Sequence, residues 1–156
     1  MKRKQDDQMC ASSPWETPGV HPALKVYFGY CLSKAALKHK SMLAKELEKY
    51  KVVSPQLGIM KLLQMNGPAS QISLGQDMHI DKASMVKFID GLEKQKYVRR
   101  VPDKNDRRIK LVELTEKGAK DLQKLARIRQ EIEDEFLSPL SAKEKETLRE
   151  IVSKLV

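Results

Sequence analysis

The sequence predicts a mainly α fold with a small β-wing: a winged helix-turn-helix flanked by long terminal dimerisation helices. Three observations lead there. Apolar residues recur at helical spacing through the first half of the chain. Two short helical patterns in that region meet at a tight turn, His79-Ile80, which is the helix-turn-helix arrangement. The apolar period then shortens from about 3.6 to 2 across residues 98–114 before helical spacing resumes.

The elements follow in order. Residues 1–20 are polar and carry Pro14, Pro18 and Gly19, so we read them as a mobile N-terminal tail. From Pro22 to Tyr50 no further proline interrupts a helical stripe of Leu24, Tyr27/Phe28, Cys31, Ala35, Met42, Leu43 and Leu47. One long N-terminal helix is expected in segment 21–50. Ser54-Pro55 reads as N-cap and first helical position. Leu57, Met60, Leu63 and Gln64 mark the buried stripe of that second helix, and Asn66-Gly67-Pro68 stops it. Ser70 caps a short helix with Ile72, Leu74 and Met78 as its apolar positions. Asp81 caps the next, Lys82 to about Gln95, with Met85, Phe88/Ile89 and Leu92 inward. Val98–Val101 and Ile109–Leu114 read as a β-hairpin with a basic tip. Thr115 caps a long helix to about Leu137, and Ser141-Ala-Lys-Glu144 is a capping box opening a last helix with Leu148, Ile151, Val152 and Leu155 inward. The domains expected are 21–50 for dimerisation and linking, 51–115 for the winged helix-turn-helix, and 116–156 for C-terminal dimerisation. The apolar faces of the terminal helices exceed what a central domain of this size covers, and a symmetric homodimer is the simplest use of the surplus.

Charge points to a polyanion. The 156 residues carry 30 Lys+Arg against 21 Asp+Glu, a net +9. The tail and segment 116–156 are balanced, whereas 21–50 carries +4 and 51–115 carries +5. Six bases crowd Val98–Lys110: Arg99, Arg100, Lys104, Arg107, Arg108 and Lys110. A basic cluster this local is an electrostatic footprint for nucleic acid. Other classes lose ground. The longest apolar run, Val26–Leu32, is far short of the roughly 20 residues of a membrane span, so no membrane association is expected. No secretory signal follows the basic start, which makes the cytoplasm, with the nucleoid when DNA is bound, the expected compartment. Cys10 and Cys31 form no CxxC, and His21, His39 and His79 have no metal-like spacing. No phosphate-binding glycine loop or nucleophile elbow is present. We therefore expect no enzyme, no metal and no cofactor.

The outward residues near the start of the helix after Asp81 are Lys82, Ala83, Ser84, Val86 and Lys87, where a recognition helix meets base edges. Lys87 can donate to guanine, Ser84 to several bases, and Ala83 or Val86 can touch a thymine methyl. Ser70 and the Lys82 N–H sit at helix N-termini that suit phosphate oxygens. Arg99 and Arg100 are expected to touch phosphates or stay solvated.

Over residues 22–156 the sequence resembles the MarR family of bacterial and archaeal transcriptional regulators. The resemblance rests on Ile80-Asp-Lys-Ala-Ser-Met-Val-Lys-Phe-Ile-Asp-Gly-Leu-Glu-Lys and on Asp103-Lys-Asn-Asp-Arg-Arg-Ile-Lys-Leu-Val-Glu-Leu-Thr-Glu-Lys-Gly118. The latter is similar to the family's wing signature, Asp-x-Arg-Asp-x-Arg running into Leu-Thr-x-x-Gly. The resemblance implies a homodimer on pseudo-palindromic double-stranded DNA. It implies a basic wing, with Arg107 and Arg108, reaching the minor groove, where Arg108 is inserted and Asp106 fixes its guanidinium. Three positions depart from the pattern: Asn105 for a common Arg, Lys96 for a common Gly, and Gly91 for a common base. The resemblance also suggests modulation by a small aromatic or anionic effector near Tyr27, Tyr30 and Cys31. Those three are equally read as dimer-core residues. Two alternatives stay open: a thiol-based redox sensor using Cys31 or Cys10, and a winged-helix module that binds protein.

Overall fold

A computed structural model describes residues 21–104, 106 and 108–155. The tail to Val20, with Cys10, and the wing residues Asn105 and Arg107 lie outside the described residues. A 3-10 turn at Pro22–Leu24 precedes α1 (Phe28–Glu48), followed by α2 (Ser54–Asn66), β1 (Ala69–Ser70), α3 (Gln71–Asp77), α4 (Lys82–Lys94), β2 (Val98–Pro102), β3 (Lys110–Leu114), α5 (Glu116–Phe136) and α6 (Ala142–Ser153). The strands form one antiparallel sheet in the order β1-β3-β2. The chain divides into two compact units, one ending at Met42 and one beginning at Leu43.

In the first unit the expected single helix is broken. His21 Nδ1 accepts the Ala23 N–H, and Lys25 and Tyr27 donate to Pro22 and Leu24 in three-residue steps. No Ser, Thr, Asp or Asn stands among residues 21–27 to cap a longer helix, so four-residue bonding starts only when Cys31 donates to Tyr27.

The second unit holds the main core, with Leu47, Ile59, Met60, Leu74, Met85, Ile89, Leu92, Val98, Val112 and Leu125 fully buried. The expected N-caps at Ser70, Asp81, Thr115 and Ser141 accept from the N–H three residues on, and Ser141 with Glu144 forms the full capping box. At α2 the expectation was one residue off. Ser54 is already helical, Val53 is the cap residue, and the Gln56 side chain accepts the Val53 N–H at 3.0 Å. Gln64 and Ile72, expected inward, are exposed, and so are Leu148, Ile151 and Val152 of α6 and Leu155 just beyond it; α6 has no buried residue within this chain. β1 is an addition, a two-residue strand pairing Ala69 with Val112 and Ser70 with Leu111. Ile109 falls in the hairpin turn rather than in β3.

Three helices end in the same way. After α1, Val52 donates to Leu47 and Lys51 to Glu48; after α3, Ile80 to Gly75 and His79 to Gln76; after α4, Tyr97 to Leu92 and Lys96 to Glu93. Each is a Schellman cap, and each puts its turning residue at positive φ: Lys51 at 54°, His79 at 51° and Lys96 at 61°. None is glycine. Lys96, which stands for a common Gly, therefore carries left-handed strain, and the lysine ammonium at a helix C-terminus offsets part of it.

Gly118 has the opposite logic. The α5 N-terminus packs so close to the residue before β2 that a Cβ at Gly118 would lie 2.1 Å from the Tyr97 carbonyl oxygen. The glycine of the Leu-Thr-x-x-Gly pattern is a spacing requirement.

Two substitutions should move stability in opposite directions in thermal or urea unfolding. Gly118→Ala should cost at least about 2 kcal/mol, because backbone rather than a movable side chain must yield. Lys96→Gly should gain about 0.5–1 kcal/mol by relieving the left-handed penalty, net of glycine's larger unfolded entropy.

Candidate nucleic-acid interface

The interface is built on α4. Burial of Met85, Ile89 and Leu92 fixes which side of the helix faces the core. Lys82, Ala83 and Lys87 are consequently exposed, while Ser84 and Val86 are half-buried at the flanks. Asp81 starts the helix by accepting the Ser84 N–H at 2.9 Å. That bond, helped by the Ser84 hydroxyl, holds the Asp81 carboxyl below its ordinary pKa. Ser70 is half-buried and takes the Ser73 N–H at 3.1 Å, which leaves its hydroxyl proton to donate.

The wing is the β2–β3 hairpin, registered from Val98 opposite Leu114 to Pro102 opposite Lys110. Its tip is internally bonded: Asp103 accepts from Asp106, and Ile109 donates to Asp106 and accepts from Asp103. Asp106 accepts the Arg108 backbone N–H at 3.0 Å, and it accepts the guanidinium through Nε at 3.0 Å and Nη2 at 2.8 Å. The Arg108 side chain is nevertheless 90% exposed. A planar cation is thus presented to the outside in one fixed orientation. The bonds from Arg108 hold the Asp106 carboxyl below the ordinary range. The pair, implied by the family resemblance, forms in the turn before β3, with the backbone bond to Arg108 closing it.

Arg100 does something other than meet phosphates or water. Its guanidinium bonds Asp90 and Glu93 on α4 and Gln71 on α3. Burial works against its charge, but the carboxylate bonds outweigh this and raise its pKa. Arg99 pairs with Glu113, its opposite residue on β3. Sequence reasoning missed the Arg100 clamp because Asp90 and Glu93 look like solvent-facing residues of a helix. It also missed Gln56, whose buried amide donates to the Phe88 carbonyl at 2.9 Å.

The residues singled out for an effector lie in the first unit. Tyr27 is exposed, Tyr30 half-buried with Lys34 Nζ 5.4 Å from its ring centre, and the half-buried Cys31 thiol donates to the Lys25 carbonyl at 3.5 Å. In the second unit, a cleft of about 240 Å³ between α2 and α5 has Leu57, Leu122 and Ala126 with Lys61 and Arg129 in its lining. Among the described residues no cluster of His, Cys, Asp and Glu could hold a metal ion, and no helix is long and apolar enough to cross a membrane.

The Asp81 cap gives a pH signature. Its bonds favour the carboxylate, so its contribution is fully present above the ordinary value of 3.8 and is lost as pH falls through the lowered folded value. In melts between about pH 2.5 and 7, Asp81→Asn, which keeps a capping oxygen, should lose less stability on acidification than the wild type. An unchanged acid limb would assign the acid sensitivity elsewhere.

Comparison with known proteins places this arrangement. The family model described as the MarR family matches residues 53–110, from the α2 cap to the start of β3. The transcriptional regulator HosA of Escherichia coli O127:H6 is 30% identical over 105 residues, covering 67% of this chain and 78% of that protein. The crystal structure of a probable transcriptional regulator from Pseudomonas aeruginosa superposes with a TM-score of 0.78 at 29% identity, over 85% of this chain and 99% of that one. A mutant MarR from E. coli, complexed with operator DNA, has the same fold, with a TM-score of 0.74 at 21% identity over 88% and 99% of the two chains. With the wing signature, the helix-turn-helix and these relatives in agreement, the chain belongs to the MarR family of transcriptional regulators and is a regulator rather than an enzyme.

Proposed function

We propose that the protein acts as a homodimer on pseudo-palindromic double-stranded DNA, with α4 in the major groove and the wing in the adjacent minor groove. The observation that carries this is the exposed Arg108 guanidinium held by Asp106 on a hairpin joined to a helix that exposes Lys82, Ala83 and Lys87. Narrow minor grooves concentrate negative potential and favour an inserted arginine. Ser84 and Val86 complete the base-facing set, with Ser70 and the Lys82 N–H on phosphates. Arg107 joins the wing contacts in this reading on sequence grounds alone. Segment 51–115 is then the DNA-binding domain, and 21–50 and 116–156 serve dimerisation.

The dimer is supported by apolar surface on the terminal helices. On α6, Ile151 is 50% and Leu155 60% exposed, beside the less exposed Leu148 and Val152. Near the start of α1, Val26 and Phe28 are 76% and 70% exposed. Large apolar side chains exposed in groups, as on α6, suit an association face, and a two-fold dimer buries equivalent faces on both chains. A small aromatic anion is the effector class we favour. Its support is the α2–α5 cleft, where Lys61 and Arg129, two bases against the single acid Glu133, flank apolar groups.

The test is selection of bound duplexes from a random library. A pseudo-palindrome with half-sites about one helical turn apart is expected, and Arg108→Ala should bind the selected duplex at least about tenfold more weakly at fixed salt. Equal affinity of wild type and Arg108→Ala would remove the wing from the interface. Enrichment of no sequence would favour a protein-binding role for the basic wing.

A further inference from the structure

Gln56 is a polar side chain left only 6% exposed beside apolar core residues. Its amide is used at both ends. Oε1 accepts the Val53 N–H at 3.0 Å, and Nε2 donates to the Phe88 carbonyl at 2.9 Å. The orientation of the amide is forced, because one neighbour is a donor and the other an acceptor. Phe88 lies midway along α4, and Val53 lies in the link between α1 and α2. A carbonyl has two lone pairs, so Phe88 can take this bond alongside its helical one.

Gly91 makes the contact possible. It sits three residues after Phe88 on the same flank of α4, and a Cβ there would come within 2.5 Å of Gln56 Nε2. The amide is the flexible end of a side chain and would simply be pushed off Phe88. Gly91 is thus the space that lets α2 grip the recognition helix.

We propose that Gln56 is a positioning residue for sequence reading, fixing the rotation and depth of α4 with Gly91 as its required clearance; this rests on the DNA reading above. The grip at Phe88 is roughly 6–9 Å along the helix axis from Lys82–Ser84. A small rotation there displaces every base-facing side chain. Base-edge hydrogen bonds fail once distance and angle slip, whereas lysine–phosphate attraction survives such slips. Loss of the grip therefore lowers affinity for a specific sequence and spares general DNA binding.

The experiment measures binding of a duplex that the wild type selects from a random library, against a random duplex of equal length, at fixed salt. The variants are Gln56→Ala, Gln56→Glu, Gly91→Ala and the double Gln56→Ala/Gly91→Ala, studied below their unfolding temperatures. Gln56→Glu, assayed at alkaline pH where the carboxyl is ionised, can still accept from Val53 but cannot donate to Phe88, whereas its protonated form could, so the ionised variant separates capping of α2 from gripping of α4. Each single variant is expected to bind the selected duplex about tenfold more weakly and the random duplex within about twofold of wild type. The double variant is expected to be no weaker than either single, since both remove one contact. Wild-type behaviour of Gln56→Glu, equal losses on both duplexes, or losses that multiply in the double variant would each overturn the proposal. If Gln56→Glu does not fold because it buries a carboxylate, Gly91→Ala carries the test alone. A wild type that enriches no duplex overturns the DNA reading and this proposal together; one that enriches a duplex the variants bind equally well overturns this proposal only.

Discussion

The Arg100 guanidinium is the joint on which the winged helix-turn-helix depends. It leaves β2 and reaches Asp90 and Glu93 on α4 and Gln71 on α3. One side chain thereby ties the wing to both helices of the helix-turn-helix. The arrangement is strongly coupled in sign: Asp90 and Glu93 stand three residues apart on one helix face, where like charges repel. Only a cation between them makes that face favourable. Arginine suits the task because its planar fork serves several acceptors at once, which a lysine ammonium does not do in fixed geometry.

This joint changes what the net +9 means. Of the bases crowded into residues 98–110, Arg100 is spent inside the domain and Arg99 is paired with Glu113 across the hairpin. Arg108 is paired as well, but differently. Asp106 holds it from behind while 90% of its side chain stays exposed. An exposed pair of this kind adds little stability, and its value lies in orientation. A cation with a fixed direction loses less conformational freedom on entering a groove than a free one. The basic cluster read from sequence is thus partly scaffold and partly presented charge.

Four of the helix N-termini were legible, as was the end of α2 at Asn66-Gly67-Pro68, whereas the C-terminal caps of α1, α3 and α4 were not read as caps. Ser70, Asp81, Thr115 and Ser141 announce themselves because their side chains perform the capping. Lys51, His79 and Lys96 hide because the usual mark of a Schellman cap is glycine, and here backbone hydrogen bonds and flanking burial force two lysines and a histidine into the left-handed region. β1 was missed because two residues carry no period. Of the candidate interface, the exposed lysines of α4 could be anticipated from spacing and the Asp106–Arg108 pair from the family resemblance. Gln56 could not, because Ser54-Pro55 draws the cap one residue downstream and hides Gln56 at the third helical position. Long-range contacts such as Gln56 to Phe88, 32 residues apart, leave no local signature.

At the base of the hairpin α4 is fastened to α5, the helix that follows the wing. The Thr115 hydroxyl donates to the Lys96 carbonyl at 2.7 Å, and its N–H donates to Tyr97 at 3.0 Å. Lys117 reaches back to the Gln95 carbonyl at 2.6 Å and lies 4.5 Å from the Tyr97 ring centre. Gly118 then removes the side chain that would hold α5 away from Tyr97. The C-terminus of α4 and the N-terminus of α5 are therefore fastened through three consecutive residues, Gln95 to Tyr97. Because the lysine ammonium meets helix-terminal carbonyls, the fastening is electrostatically favourable as well as hydrogen-bonded. In a dimer joined through the C-terminal helices, α5 would carry the two-fold geometry and this joint would pass it to α4. The distance between two recognition helices, and with it the half-site spacing, would then be set by a turn whose strain at Lys96 is tolerated because every neighbouring backbone group is bonded.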